Sequence, residues 1–227
     1  MIRDLRPLAA EFIGTMLFVF LGAASVVTFA APGPSASAVA AVGIALAHGV
    51  ALAIIVSMTM NISGGHINPA VTIGLWIADR VDGKVAGRYI VAQLLGALSG
   101  AALMKGILPS AGVTLALAGT PRLAGNVTFL EGIWIEAVLT FFLVSAVFGT
   151  AVSPEAPKMG GWGIGLAVFV GALVGGSLTG GAMNPARAFG PAVISWNFSG
   201  HAVYWAGPLL GAALAGVVWK TLLLPRS

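Results

Sequence analysis

Apolar stretches recur along the whole of this chain, at about 8–31, 39–60, 85–107, 128–151, 160–178 and 202–224, broken by short segments rich in Gly, Pro and Ser. Several reach the roughly 20 residues a helix needs to cross a bilayer. Only 8% of the residues are charged and 58% are hydrophobic, whereas an ordinary soluble domain is nearer one quarter charged. A chain of this kind cannot cover a soluble surface, so it is expected to insert in a membrane. The first stretch is long and shows no cleavage signature ahead of a polar mature start, which reads as a retained helix.

Charge and residue usage narrow the function. The net charge is +4, but the cations are scattered singly rather than gathered into a stripe or patch, so no nucleic-acid partner is expected. There is no cysteine, which removes disulfides, thiol chemistry and Cys-based metal sites. His48, His66 and His201 do not stand at metal-ligand spacing, so no metal or cofactor is expected. No Ser-His-Asp order, paired catalytic carboxylates or phosphate loop emerges, so neither catalytic residues nor an enzyme is expected.

Arginine and lysine set an orientation. With the N-terminus in the cytoplasm, Arg3, Arg6, Arg80, Lys84, Arg88, Lys158, Lys220 and Arg226 fall inside, against Lys105 and Arg122 outside. That imbalance favours both termini on the cytoplasmic side. The segments 32–38, 108–127 and 179–201 then face outward, and 61–84 and 152–159 inward. Short loops and the missing cysteine point to a prokaryotic inner membrane.

The two halves, about 1–107 and 128–227, repeat each other within a single domain. Glu11 and Thr15 match Glu136 and Thr140, and Tyr89, Leu94, Leu95 and Gly96 match Tyr204, Leu209, Leu210 and Gly211. Three spans per half is an odd number, so the second copy must sit upside down. In inverted repeats the functional site tends to lie near the midplane, where broken helices meet. Gly96 and Gly100, and likewise Gly207 and Gly211, are spaced four apart and are expected to let helices approach closely in lipid.

Two apolar stretches, about 69–78 and 185–195, are too short to span, and each starts at an Asn-Pro-Ala: Asn68-Pro69-Ala70 and Asn184-Pro185-Ala186. Proline suits a first helical turn and asparagine is a good cap before it. These segments read as half-helices. Each follows a matching loop, Ser63-Gly64-Gly65-His66-Ile67 and Thr179-Gly180-Gly181-Ala182-Met183.

The paired tripeptides in an inverted repeat resemble the aquaporins, the major intrinsic protein family, and the resemblance covers nearly all of the chain. It implies an all-α membrane protein of six transmembrane helices plus two re-entrant half-helices. The half-helices meet N-terminus to N-terminus, with Asn68 and Asn184 side by side in the pore, donating to a passing water while two positive helix ends repel cations. Gly64, Gly65, His66 and Ile67, with Gly180, Ala182 and Met183, would supply a ladder of carbonyl acceptors. Such carbonyls are tolerable at membrane depth only beside a water-filled cavity.

By the same resemblance Arg187, placed directly after the second tripeptide, lines an outer constriction together with His48, Ala172 and Gly181. His48 stands twenty residues before Asn68, where strict water channels of the family carry Phe, and Ala172 replaces their usual histidine. This set looks like the plant vacuolar-membrane aquaporins and implies a wider, more polar opening that passes ammonia, hydrogen peroxide or urea as well as water. Glycerol channels carry an Asp after the motif's Arg, where this chain has Ala188. A homotetramer, with a pore in each protomer, is also implied.

Glu11 and Glu136, buried acids at equivalent points, allow two readings. The family makes them scaffolding that accepts hydrogen bonds from the half-helix loops, with Gln93 bracing similarly and Thr15 and Thr140 completing the repeated pattern. A proton-coupled carrier would instead use them as coupling groups. A glycerol-type facilitator and a closed structural protein complete the alternatives. His66 reads as a vestibule or structural residue.

Overall fold

The computed structural model describes residues 2–29 and 34–225, with side chains described from Leu5 to Phe29 and from Val39 onward. Arg226 and the stretch 30–33, where the first expected span ends and the first expected outer loop begins, lie outside the described residues, as does the side chain of Arg3. Chain order gives α1 (Ile2–Phe29), α2 (Pro34–Ser63), α3 (Pro69–Ile77), α4 (Gly83–Ile107) and the short α5 (Ser110–Leu115). The second half gives α6 (Phe129–Val147), α7 (Trp162–Gly175), α8 (Pro185–Ser195) and α9 (Val203–Val218). A π-helical turn extends α6 through Phe148–Val152 and another extends α9 through Trp219–Leu223.

Among the described residues five helices, α1, α2, α4, α6 and α9 with their extensions, are long and apolar enough to cross a membrane. The fifth expected span, 160–178, is a helix of only 14 residues, α7. At about 1.5 Å per residue it covers about 21 Å, short of the roughly 30 Å hydrocarbon layer. Glycine explains both ends. Gly160 is left-handed (φ 58°) just before the helix, and beyond Gly175 the N–H groups of Leu178, Thr179 and Gly180 all converge on the Gly175 carbonyl at 2.8–3.1 Å. That convergence winds the chain into turns that deliver it to the second half-helix loop.

Glycine also sets the helix pairs. α1 packs along α4 at Gly96 and Gly100, where an added β-carbon would collide with the backbone of Phe12 and Met16. α6 packs along α9 at Gly207 and Gly211, against the backbone of Ile133 and Ala137. Helices approaching this closely in lipid gain van der Waals contact that larger side chains would block. The correspondence extends to the half-helices. α3 lies on α9, with Gly74 against Ala212, and α8 lies on α4, with Gly190 against Ala97. Each half therefore cradles the other's short helix.

Polarity is inside out relative to a soluble domain. Glu11, Gln93 and Glu136 are fully buried, while Val91 and Val138 are 58% and 66% exposed. Such a surface is stable against hydrocarbon, where the cost falls on polar groups instead. At the far end of α3, Lys220 pairs with Asp79 and reaches the Ile77 carbonyl, tying that half-helix to the turn that follows α9.

Candidate functional site

Both short helices begin at the tripeptides, as the sequence predicts. Asn68 caps α3, its Oδ1 accepting from Ala70 N at 2.8 Å. Asn184 caps α8, accepting from Ala186 N at 3.0 Å and Arg187 N at 3.2 Å. Capping fixes each side-chain oxygen on its own helix and turns each amide nitrogen outward. Asn68 Nδ2 then donates to the Met183 carbonyl at 2.8 Å and Asn184 Nδ2 to the Ile67 carbonyl at 3.1 Å. The two helix starts are thus clasped together by a reciprocal pair of bonds. Each amide has two N–H groups, so one on each is not consumed by the clasp.

The loops entering the two helices repeat one backbone path. Gly64 and Gly180 have φ of 91° and 88°, Gly65 and Gly181 63° and 54°, and Ile67 and Met183 56° and 50°. Glycine adopts this region freely. Ile67 is β-branched and rarely found there, a strain of about 1–3 kcal/mol that the surroundings must hold. The buried acids hold it. Glu11 accepts from Ser63 Oγ (2.6 Å) and His66 N (2.9 Å) on one oxygen, and from Ile67 N (2.7 Å) and Gln93 Nε2 (2.8 Å) on the other. Glu136 accepts from Thr179 Oγ1 (2.6 Å), Ala182 N (2.9 Å) and Met183 N (2.7 Å).

With the loop N–H groups drawn to the carboxylates, the carbonyls of Gly64, Gly65, His66, Gly180, Gly181 and Ala182 accept no hydrogen bond among the described residues. The innermost rungs differ from the sequence expectation of a free ladder. Ile67 and Met183 already receive the crossed asparagine amides, because the two helix starts are close enough to share these groups.

Some partners were not legible in the sequence. The hydroxyls on the two acids belong to Ser63 and Thr179, at the loop starts. Thr15 and Thr140, expected to complete the acid pattern, have buried hydroxyls without a partner among the described residues. Tyr89 and Tyr204 donate to the carbonyls of Ser63 (3.0 Å) and Thr179 (2.8 Å). Their equivalence was visible in the repeat, but their role was not.

Gln93 also donates to Thr72 Oγ1 at 3.0 Å, and Thr72 donates its own proton to the Asn68 carbonyl at 3.0 Å. His66 Nδ1 lies 3.1 Å from the same hydroxyl. Since that hydroxyl has spent its one proton, Nδ1 must be the donor, which leaves Nε2 as an acceptor. Among the described residues no group of three or more His, Asp or Glu side chains stands at metal-binding range.

On the Arg187 side of the asparagine pair, a cavity of about 590 Å³ is lined by His48, Ala172, Gly181 and Arg187, the four positions expected to gather there, together with Gly119. Arg187 is 5% exposed, and its Nη1 donates to the Gly119 carbonyl at 2.9 Å. That carbonyl is aimed by three successive left-handed residues, Leu117, Ala118 and Gly119, a turn without a sequence signal strong enough to forecast. His48 Nδ1 lies 2.9 Å from the Ile44 carbonyl and so carries the proton, while its buried Nε2 has no protein partner among the described residues. His201, by contrast, lies outside this cavity in an aromatic cluster with Phe189, Phe198 and Tyr204.

The site offers hydrogen-bond donors and acceptors along a path, and the hydroxyls that sit beside its acids and imidazole, those of Ser63, Thr179 and Thr72, are committed to holding the two loops. Together with the opposed half-helices it defines a membrane protein built to pass small molecules rather than to transform them. The major intrinsic protein model matches residues 1–219. The chain belongs to that family.

Relatives include Aquaporin TIP2-1 of Arabidopsis thaliana, 40% identical over 231 residues, covering 100% of this chain and 90% of the relative. Aquaporin TIP4-4 of Zea mays is 41% identical over 228 residues, covering 97% and 88%. The fold is similar to the X-ray structure of the aquaglyceroporin from Plasmodium falciparum, at a TM-score of 0.85 and 24% identity over 96% of each chain.

Proposed function

We propose that this chain is a passive channel for water, with the asparagine pair as its midplane filter. The observation that carries this reading is the reciprocal clasp of Asn68 and Asn184, which leaves one donor on each amide where two helix N-termini meet. A water oxygen there accepts from both amides, so its lone pairs are taken and it cannot relay a proton. The positive ends of α3 and α8 oppose a cation at the same point. Unpartnered carbonyls on either side receive the hydrogens of the waters before and after it. Family membership and the naming of the relatives as aquaporins support the same conclusion. Stopped-flow shrinkage of proteoliposomes tests it: osmotic permeability must exceed that of empty liposomes, without proton conductance.

The constriction is assigned to His48, Ala172, Gly181 and Arg187. Two of the four present almost no side chain, and the cavity they share supports passage of ammonia, hydrogen peroxide or urea alongside water. A solute panel in the same liposomes distinguishes this from a pore for water alone. Against a proton-coupled carrier, both oxygens of Glu11 and of Glu136 are engaged by donors that hold the loops, which favours scaffolding.

Further readings belong with this one. The halves 1–107 and 128–227 act as inverted repeats of one channel domain, supported by the paired loop dihedrals. The protein works as a homotetramer with a pore in each protomer. Both termini face the cytoplasm, as the cation imbalance favours. A prokaryotic inner membrane rests on short loops and absent cysteine alone, since the relatives named above are plant proteins.

A further inference from the structure

Away from the pore, a groove of about 610 Å³ opens on the outer surface between α1 and the first turns of α4. Its α4 wall is one helical stripe, Lys84, Arg88, Val91 and Leu95, at successive spacings of four, three and four residues. Leu8 of α1 lines the opposite wall. The two cations stand together at one end of the stripe, and the two aliphatic side chains, 58% and 54% exposed, continue it. Between them Gly87 leaves a gap, since a β-carbon there would meet nothing within 4 Å. Asp82, the neighbouring carboxylate, is turned back to accept from Lys84 N at 2.8 Å as the cap of α4.

The geometry points to a binding site for an anionic phospholipid, in the leaflet on the side where α4 begins. From Lys84 to Leu95 the helix rises about 16 Å, close to half of a hydrocarbon layer about 30 Å thick. A lipid with its phosphate at Lys84 and Arg88 therefore has its acyl chain running down Val91, Leu95 and Leu8. The gap at Gly87 gives the glycerol backbone access to the helix surface. Charge complementarity selects the headgroup: two cations and no carboxylate line the groove among the described residues, and a zwitterionic lipid would gain much less. Each cation near a membrane surface favours an anionic lipid about fivefold.

Native mass spectrometry of the full-length protein, released from an equimolar mixture of phosphatidylglycerol and phosphatidylcholine, tests the site. Retained phosphatidylglycerol is expected to outnumber phosphatidylcholine by about fivefold or more. That excess should be lost in the double variant Lys84→Gln, Arg88→Gln. Gly87→Leu, which keeps both cations but fills the gap, should also lose it, and carries the test alone if the double variant fails to fold. Unaltered water permeability of each variant in liposomes certifies the fold. Lys158→Gln, which removes a cation elsewhere, should retain the lipid. Equal retention of both lipids by the wild type, an equal loss in Lys158→Gln, displacement by glycerol 3-phosphate without acyl chains, or a changed subunit number in place of lipid loss would each overturn the assignment.

Discussion

The imidazole of His48 lies directly over Gly22, with Nε2 2.5 Å from where a β-carbon on Gly22 would stand. Its other nitrogen is held by the Ile44 carbonyl, and Phe18 meets the ring edge-on, with centroids 5.9 Å apart. Gly22→Ala therefore has to push the ring towards the cavity. Permeability to urea is expected to fall several-fold, with a smaller loss for water, and a solute panel in proteoliposomes checks this. Unchanged urea flux would mean that His48 does not bound the opening.

The two acids are unequal. Glu11 holds four donors and Glu136 three, because Gln93 has no counterpart in the second half, where Pro208 stands at the matching position. Replacing either by Gln puts a donor where an acceptor is needed and leaves a buried N–H unsatisfied, at about 1–3 kcal/mol each. Glu11→Gln is expected to cost more stability than Glu136→Gln in detergent unfolding. Neither should make water flux depend on a proton gradient.

Much of this was readable from the chain. The half-helices start at Asn-Pro because a cap and a proline leave the backbone little choice, and the glycine pairs mark where helices touch because nothing larger fits. What escaped notice depends on contacts distant in sequence. Ser63 and Thr179 meet acids 52 and 43 residues away, and the crossed asparagine bonds join residues 115 and 117 apart. The shortness of α7 was hidden by hydropathy, which does not register where glycine ends a helix. The left-handed run ending at Gly119 contains Leu117 and Ala118, residues that carry no such signal.

Arg187 depends on that run. An added methyl on Gly119 would meet Ala23 Cα at 2.8 Å and require an unfavourable φ of 76°. Gly119→Ala should shift the carbonyl away from the guanidinium, at about 1–3 kcal/mol for the buried bond. Raised cation leakage, measured as conductance of reconstituted bilayers against wild type, is the expected result.

The tie at the far end of α3 should matter little. Lys220 and Asp79 are 45% and 75% exposed, and exposed ion pairs contribute about 0–1 kcal/mol. Lys220→Ala is expected to leave thermal stability and water flux close to wild type, less affected than either glutamate variant.

His201, outside the spanning helices, is held below its ordinary value of 6.5 by burial. Trp205 Nε1 donates to its Nε2 at 3.1 Å, a bond that only the neutral ring accepts. The unfolded chain thus takes up this proton at a higher pH than the folded one. Stability from this group is fully present above about pH 6.5 and declines as pH falls below it. In His201→Gln, the acid-side slope of unfolding midpoint against pH should be reduced.

The clasp carries a consequence for biosynthesis. Residues 1–107 alone would leave the Asn68 amide and the Ile67 carbonyl without Met183 and Asn184, their partners 115 and 117 residues further on. The start of the first half-helix is therefore secured only after the second has been translated, and a chain cut short between them cannot close its own centre.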